Sequence, residues 1–332
     1  MTSHSIPTSN TVPGLIQLQS KIANAALASS QGFWQRILEI DGRYARQACD
    51  DVWGALKDVR GPAELALGVD AFFRRYAVEI AMTPGLSVER FVRSMQGWDD
   101  ATPQTVTVDG KPIMLPARVR DASQGFGVYS VPYAKAKALV PDAFRPLSLG
   151  GQRAAAALFI VDYRESDLGA YYEVGLSVYV TPNGLRWIVP GTFTHTLIVN
   201  DRFSRDAGRQ IWGYPKTVAE IDVSYTDKMA TCTLGPPSNP VLSLSFCRGG
   251  RSATTNIPLY TYTVHETRPT LTLFTRTGRG ERTRFNGDGV RIHTGGDNGL
   301  AGLIEDLEIP DKPLLWSWTD NMQGSFGIPH ML

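Results

Sequence analysis

The spacing of hydrophobic residues changes near residue 104. Before this point, apolar residues recur at steps of three and four through 34–56 and 65–80, which places them along one face of a helix. The first stretch ends at Gly61-Pro62 and the second near Pro84-Gly85, and both pairs are helix-stop signals. The pattern therefore predicts a helical segment or small bundle over residues 1–104.

From about Thr105 onward, apolar and polar residues alternate with the two-residue period of β-strands. The best helix candidate in this part runs from Tyr133 to Leu139. Strands outnumber helices that could serve as crossovers, so we expect residues 105–332 to form an antiparallel barrel or closed sheet. Three pairs mark tight turns between strands, namely Asp109-Gly110, Asn183-Gly184 and Asn286-Gly287.

The phase of the alternation separates two reactive side chains from the aliphatic positions. In the run from Tyr171 to Val180, Glu173 lies on the phase opposite to the valines and leucine. Lys216 also falls on the polar phase of the strand that follows Pro215. This phase fits a polar barrel lumen and a solvent-facing sheet surface equally well, so the alternation leaves both open.

Charge and cysteine content exclude several classes of function. The 332 residues carry 33 Lys and Arg against 32 Asp and Glu, so no basic field is available to bind nucleic acid. No stretch approaches the roughly 18 apolar residues of a membrane span. Three widely spaced cysteines fit neither a disulfide framework nor a zinc site. We expect a cytoplasmic protein with no metal site and no cofactor.

One nine-residue run resembles the lysine segment of a known family. The run from Gly208 to Lys216, which ends in Gly-Tyr-Pro-Lys, is similar to the nucleophile segment of the acetoacetate decarboxylase family. Further segments match in the family's order, at Val140-Pro141-Asp142, at Tyr172-Glu173-Val174-Gly175 and at the strand with His195. The resemblance implies that residues 105–332 form an antiparallel β-cone or barrel that holds the lysine inside. Together with the helical extension predicted over residues 1–104, this gives an α+β chain.

The resemblance also implies a function and a set of site residues. In this family the lysine forms an imine with a β-keto acid, so the expected protein is a Schiff-base lyase that decarboxylates a small keto acid, and a closed homo-oligomer. Lys216 would be the nucleophile, and Glu173 would orient the substrate or shuttle protons. The residues expected to contact the substrate are Phe193, Trp212, Tyr214 and Arg120.

An amine nucleophile must lose its proton, and two departures from the family bear on how this occurs. A lysine with a pKa of about 10.4 is neutral in about one molecule in 2,500 at pH 7. We expect burial to lower the pKa of Lys216. The family's second lysine is replaced by Thr217, so either desolvation would have to contribute more to the activation, or Arg209 or Arg120 would have to supply a neighbouring cation. The family's carboxylate-binding arginine aligns near Ala122.

These departures keep other functions open. Aldolase or dehydratase chemistry through the same imine is one alternative, and a non-catalytic protein that binds a small acid or serves as a scaffold is another. A faint similarity to phasins, the proteins that coat polyester storage granules, occurs from Pro62 through Ala77. It implies association with such granules through the N-terminal helices.

Overall fold

The computed structural model describes residues 103–183, 191–236, 238–250, 252–285, 288–296 and 299–332. The helices predicted before residue 104 and the phasin-like run lie outside these residues and stay predictions, as do the turns at Asn183-Gly184 and Asn286-Gly287. The described part contains 17 strands and three helices. No helix within these ranges is long and apolar enough to cross a membrane.

The elements follow one another along the chain with short connections. The first group is β1 (Gln104–Val108), β2 (Lys111–Leu115), β3 (Ala117–Pro132), α1 (Tyr133–Ala138), β4 (Phe144–Pro146), β5 (Ser148–Gly150), β6 (Arg153–Ser166) and β7 (Tyr171–Pro182). The second group is β8 (Gly191–Val199), α2 (Arg202–Trp212), β9 (Lys216–Val218), β10 (Ile221–Tyr225), β11 (Met229–Leu234) and β12 (Leu242–Cys247). The last group is β13 (Ser252–His265), β14 (Arg268–Phe285), β15 (Val290–Thr294), α3 (Gly299–Asp306), β16 (Leu315–Phe326) and β17 (His330–Met331).

Seven strands form a closed barrel. They pair in the order β7-β6-β3-β16-β14-β13-β8, and β8 pairs back onto β7. Strands β8 and β13 run parallel, whereas the other pairs of the ring are antiparallel. The predicted closed β-barrel is therefore confirmed, and one parallel pair makes it a mixed barrel. That pair arises because α2 and the strands β9 to β12 separate β8 from β13 along the chain.

A second sheet covers one face of the barrel wall. Its strands pair in the order β10-β11-β12-β15, and Phe246 of β12 packs against Gly125 of β3, where a Cβ atom would lie 2.7 Å from the phenyl ring. A barrel of this size has room inside only for side chains or one small ligand. The face that carries Gly125 is therefore the outer face, and the opposite face of each strand lines the lumen.

Local signals account for the smaller elements. The β1–β2 hairpin turns at Asp109 and Gly110, which both have positive φ, as a two-residue hairpin turn requires. Helix α1 ends at Ala138, one residue before the predicted Leu139. Helices α2 and α3 were not predicted, and α2 proves to be the element that positions the site.

Candidate active site

Helix α2 and the turn after it deliver Lys216 into the barrel. Asp201 caps the helix, since its carboxylate accepts a hydrogen bond of 2.6 Å from the Ser204 amide. Gly213 ends the helix in the left-handed conformation at φ 66°, which a glycine adopts without steric cost. The chain then passes through Tyr214 and Pro215, and Lys216 begins β9, which pairs in parallel with β8.

Lys216 and Glu173 form a buried ion pair in the lumen. The register pairs Lys216 with Leu197 and Leu197 with Gly175, so Lys216 shares the lumen face with Glu173, two residues from Gly175 on β7. Nζ of Lys216 lies 2.8 Å from Oε2 of Glu173. The two residues are 3% and 5% exposed, which rules out the solvent-facing alternative.

Three hydroxyl groups surround this ion pair. Nζ of Lys216 donates to Oγ of Ser204 at 3.1 Å and lies 3.5 Å from the hydroxyl of Tyr171. It also lies 4.8 Å from the centre of the Tyr171 ring, in the range of a cation–π contact. The Tyr163 hydroxyl is 3.5 Å from Oε1 of Glu173, and its ring stacks on Tyr171 at 4.4 Å. The pair thus lies among groups that stabilise a cation and a carboxylate together.

The pKa values of these groups favour the charged lysine in the resting protein. Burial lowers the pKa of Lys216, but the carboxylate of Glu173 and the neighbouring Tyr171 outweigh burial, so the pKa lies above its ordinary value. This corrects the expectation that burial would leave a neutral amine. Burial also raises the pKa of Tyr171 and of Tyr163, so both phenols remain protonated. A neutral Lys216 must therefore arise by proton transfer within the site.

Trp212 and Tyr214 precede Lys216 by four and two residues, and both belong to one hydrophobic cluster. The Tyr214 hydroxyl is 2.8 Å from Oγ1 of Thr261, a residue of the β13 wall. Nε1 of Trp212 donates to the carbonyl of Gly327 at 2.8 Å, and its indole is 1% exposed. Both side chains are fixed by their polar ends. The two ring centres lie 6.2 Å apart. The predicted role of both residues as walls of the site stays a prediction.

Phe193 lies on the opposite face of the barrel wall. Leu176 pairs with Thr196 and the next residue, Ser177, pairs with Thr194, so His195 is an extra residue in β8. Such a bulge reverses which face the preceding side chains occupy. Phe193 consequently points outward and packs against Phe144, with ring centres 5.5 Å apart. The expectation that it contacts substrate beside Lys216 is corrected by this placement.

Arg120 is also placed away from the ion pair. Its guanidinium is 45% exposed, donates to Asp167 at 2.6 Å and approaches Glu165 at 3.9 Å. The predicted role of Arg120 in substrate binding or lysine activation is therefore not supported. Arg209, the other cation considered, donates to the backbone carbonyl of Lys216 at 2.7 Å. It fixes the backbone of the nucleophile.

The structure adds residues that sequence reasoning missed. Tyr171 could have been found, since it precedes Glu173 by two residues and shares its face. Ser204 carried one readable signal, its position three residues after the capping Asp201. Tyr163 reaches the site only through the pairing of β6 with β7. Among the described residues, no group of three or more His, Cys, Asp or Glu is placed to hold a metal ion.

Comparison with known proteins agrees with this arrangement at the level of the family. Residues 101–264 match the sequence model of the family described as acetoacetate decarboxylase (ADC), and the match spans Glu173, the ion-pair partner of Lys216, and Lys216 itself. This part of the chain belongs to the acetoacetate decarboxylase family. A search of curated proteins found no match.

Several solved structures are similar to the chain. One, titled as structural studies of acetoacetate decarboxylase, is 16% identical over 65% of this chain and 89% of its own, with a TM-score of 0.49. The acetoacetate decarboxylase of Legionella pneumophila is 15% identical over 70% of this chain and 92% of its own, also with a TM-score of 0.49. The enduracididine biosynthesis enzyme MppR complexed with pyruvate is 14% identical over 65% and 89%, with a TM-score of 0.46.

Proposed function

We propose that this protein is a Schiff-base-forming lyase that decarboxylates a small β-keto acid through an imine at Lys216. The observation that carries the proposal is the buried amine of Lys216, with its Nζ 2.8 Å from a carboxylate oxygen of Glu173. A lysine enclosed in a barrel lumen beside a proton acceptor has the two groups that imine formation requires. Membership of the acetoacetate decarboxylase family supports the same chemistry.

Glu173 has the position of a proton acceptor and donor for the first step. It takes a proton from the Lys216 ammonium, and the freed nitrogen attacks the keto carbon of the substrate to form a carbinolamine. The same carboxyl group then returns a proton to the carbinolamine hydroxyl, which leaves as water. The product is a protonated imine. Ser204 at 3.1 Å and the Tyr171 hydroxyl at 3.5 Å hold the nitrogen in place during this exchange.

The protonated imine then accepts electrons from the bond that breaks. The electron pair of the bond between the α-carbon and the carboxylate moves toward the iminium nitrogen, so that CO2 leaves and an enamine remains. Protonation of the enamine carbon and hydrolysis of the resulting imine release the ketone and restore Lys216. One proton is consumed for each CO2 released.

Aldol condensation or dehydration is the second candidate, and it uses the same imine. Thr217 stands where the family has a second lysine, and its side chain is exposed. Lys216 therefore has no adjacent lysine whose charge would favour a neutral amine for decarboxylation. The Lys216–Glu173 pair would serve either reaction. Measurement of CO2 separates the two.

Reductive trapping tests the proposal. The protein is incubated with acetoacetate or pyruvate and borohydride, and adducts are located by intact mass and peptide mapping. We expect an adduct on Lys216 that is absent from Lys216→Ala and present in Lys228→Ala, since Lys228 is an exposed lysine in the turn between β10 and β11. CO2 release with acetoacetate assigns decarboxylation. Absence of an adduct with both acids would favour the non-catalytic binding or scaffold function.

A further inference from the structure

A guanidinium group lies inside the barrel on the wall formed by β14. Nη1 of Arg276 donates to Oε1 of Gln124 at 2.9 Å, and the guanidinium lies 5.4 Å from the centre of the Phe126 ring. Arg276 follows Phe274 by two residues on β14, so both side chains face the same side. Phe274 stacks on Phe326 at 4.5 Å within the hydrophobic cluster that also contains Tyr214, which confirms that this side is the lumen.

Gln124, which holds Arg276, lies at the same level of the barrel as Glu173. The register pairs Gln124 with Val161 and Val161 with Glu173, so two strand spacings separate Gln124 from Glu173. At about 4.8 Å between neighbouring strands, this places their backbones about 10 Å apart along a curved wall. Both side chains project into one narrow lumen. Arg276 and the Lys216–Glu173 pair therefore border the same space.

An aromatic strip joins the two charged positions. The register row of Lys216 continues through Leu197, Gly175, Phe159 and Phe126. Gly175 makes room for this strip, because a Cβ atom there would lie 2.6 Å from Cζ of Phe159 and 2.7 Å from Leu197. Phe159 and Phe126 are only partly buried, unlike the outward-facing residues on either side of them. A ligand that reached from Lys216 toward Arg276 would lie against these two rings.

We propose that Arg276, oriented by Gln124, binds the carboxylate of the keto acid that Lys216 attacks, while the apolar body of the acid lies on Phe126 and Phe159. This inference rests on the proposed function. Arginine presents a planar fork of N–H donors that matches a carboxylate, and Gln124 fixes the plane of that fork. The substrate class is accordingly a keto acid with an alkyl or aryl body. Arg276 supplies, from a different strand, the carboxylate-binding group that the family resemblance places near Ala122.

The inference can be tested with two carbonyl compounds, of which one carries a carboxylate group and the other does not. Acetoacetate and its neutral analogue acetylacetone are trapped on Lys216 with borohydride over a range of concentrations. For Arg276→Gln we expect the half-saturating concentration of acetoacetate to rise about tenfold or more, because a hydrogen bond to a charged group is lost. We expect the value for acetylacetone to change less than about twofold, since it carries no carboxylate. An equal change for both compounds, or for neither, would overturn the inference.

Controls separate binding from folding. Arg279→Gln alters an exposed arginine of the same strand and should change neither value. Arg276→Lys keeps the charge without the fork, and we expect an intermediate change for acetoacetate. If Arg276→Gln lowers the melting temperature strongly, Gln124→Ala provides a second test, because it removes the hydrogen bond that orients the guanidinium and keeps the guanidinium itself. A Gln124→Ala variant with unaltered preference for acetoacetate would contradict the inference.

A binding measurement keeps the inference separate from the proposed chemistry. Calorimetric titration with 3-phenylpropanoate and with 3-phenylpropan-1-ol requires no reaction at Lys216. We expect the acid to bind and the alcohol to bind at least about tenfold more weakly, a difference that Arg276→Gln should abolish. If no imine forms with any carbonyl compound but this difference is present, the lyase proposal fails and the carboxylate site stands. If the acid does not bind the wild type, the carboxylate site is overturned.

Discussion

Lys216 lies directly against the backbone of Gly208 on helix α2. A Cβ atom built on Gly208 would be 2.6 Å from Cδ of Lys216 and 2.9 Å from its Cε, closer than side chains approach one another. The aliphatic stem of the nucleophile therefore runs along a helix surface from which the side chain is missing. This contact explains why a glycine stands inside a helix at this position, although glycine there costs about 1 kcal/mol of helix stability relative to alanine.

Gly208→Ala should separate stability from activity. The added methyl group favours the helix but displaces Lys216 from its contact with Glu173, so we expect trapping at Lys216 to fall by about tenfold or more, the range that an ångström-scale misplacement can cost. Rates of trapping with acetoacetate measure the effect. Gly296→Ala is the matched control, since a Cβ atom at Gly296 meets nothing within 4 Å. An unchanged trapping rate in Gly208→Ala would show that the stem of Lys216 moves aside freely.

Glu173→Gln should lower the pKa of Lys216. In the wild type, burial lowers this pKa, and the charge of Glu173 is the first of the causes that raise it above 10.5. Without that charge burial dominates, so the pKa should fall below the ordinary value of lysine. The pH dependence of acylation at Lys216, followed by peptide mass, measures the shift. We expect the midpoint to move to lower pH while decarboxylation decreases, because the proton acceptor is lost.

The midpoint of the acylation profile reports the pKa of Lys216, whereas the rate of decarboxylation reports the loss of the proton acceptor, so the two need not change together. A midpoint that stays where it is would contradict the ion pair as the cause of the raised pKa. The exposed Lys228 provides the internal reference within the same peptide map, since its reactivity should be identical in the two proteins.

We expect the buried ion pair to contribute little to the stability of the fold compared with an apolar pair in the same place. Lys216→Met leaves a buried carboxylate without its cation, which we expect to lower the free energy of unfolding by about 3–5 kcal/mol. The double variant Lys216→Met, Glu173→Leu removes both charges and should recover most of this loss. Urea unfolding at pH 7 measures both. That pH lies below 10.5, so the stabilisation from the raised pKa of Lys216 is fully present; it would be lost as the pH rises through the folded-state pKa.

A double variant no more stable than the single one would mean that the space around the pair does not tolerate apolar side chains. Cycle analysis with Glu173→Leu alone gives the coupling energy between the two residues. A coupling near zero would contradict a tight pair at 2.8 Å.

A hydrogen bond between the second sheet and the barrel should contribute to the stability of the fold. Tyr225 of β10 donates to Oδ2 of Asp162 on the outer face of β6 at 2.5 Å. Burial raises the pKa of Tyr225, and the bond to Asp162 raises it further, so the phenol stays protonated. We expect Tyr225→Phe to reduce the free energy of unfolding by about 1–3 kcal/mol. Tyr172→Phe, with a partly exposed ring on the neighbouring strand, is the control. Equal unfolding curves for wild type and Tyr225→Phe would show that the bond contributes nothing.

Much of the site's layout could be predicted from local patterns. The alternation in β7 placed Glu173 and Tyr171 on one face, and the Gly-Tyr-Pro-Lys run identified Lys216. Both signals are local, since the period of a strand and the chemistry of a turn involve residues near in sequence. Helix α2 was missed although Asp201 and Gly213 mark its two ends, because a glycine inside the helix weakens the helical pattern.

The remaining site residues depend on contacts that no local pattern carries. Arg276 and Gln124 are 152 residues apart, and only the closure of the barrel brings them together. Phe193 was expected to contact the substrate but faces outward, because a bulge is a property of two paired strands and the alternation of β8 alone gives no sign of it. The register of strand pairing thus decides which side chains of a barrel face the lumen. Alternation along a single strand does not reveal a one-residue bulge, which shifts this assignment.

The bulge at His195 allows β8 to change its length without changing which side chains line the barrel. Deletion of His195 would bring Thr194 next to Thr196, so the strand would alternate regularly, with Thr192 and Thr194 still facing the lumen and Phe193 still facing outward. If the bulge closed without the loss of a residue, His195 would instead pair with Ser177 and Phe193 would turn into the lumen. One extra residue in β8 therefore keeps a large ring out of the space in which a substrate would lie.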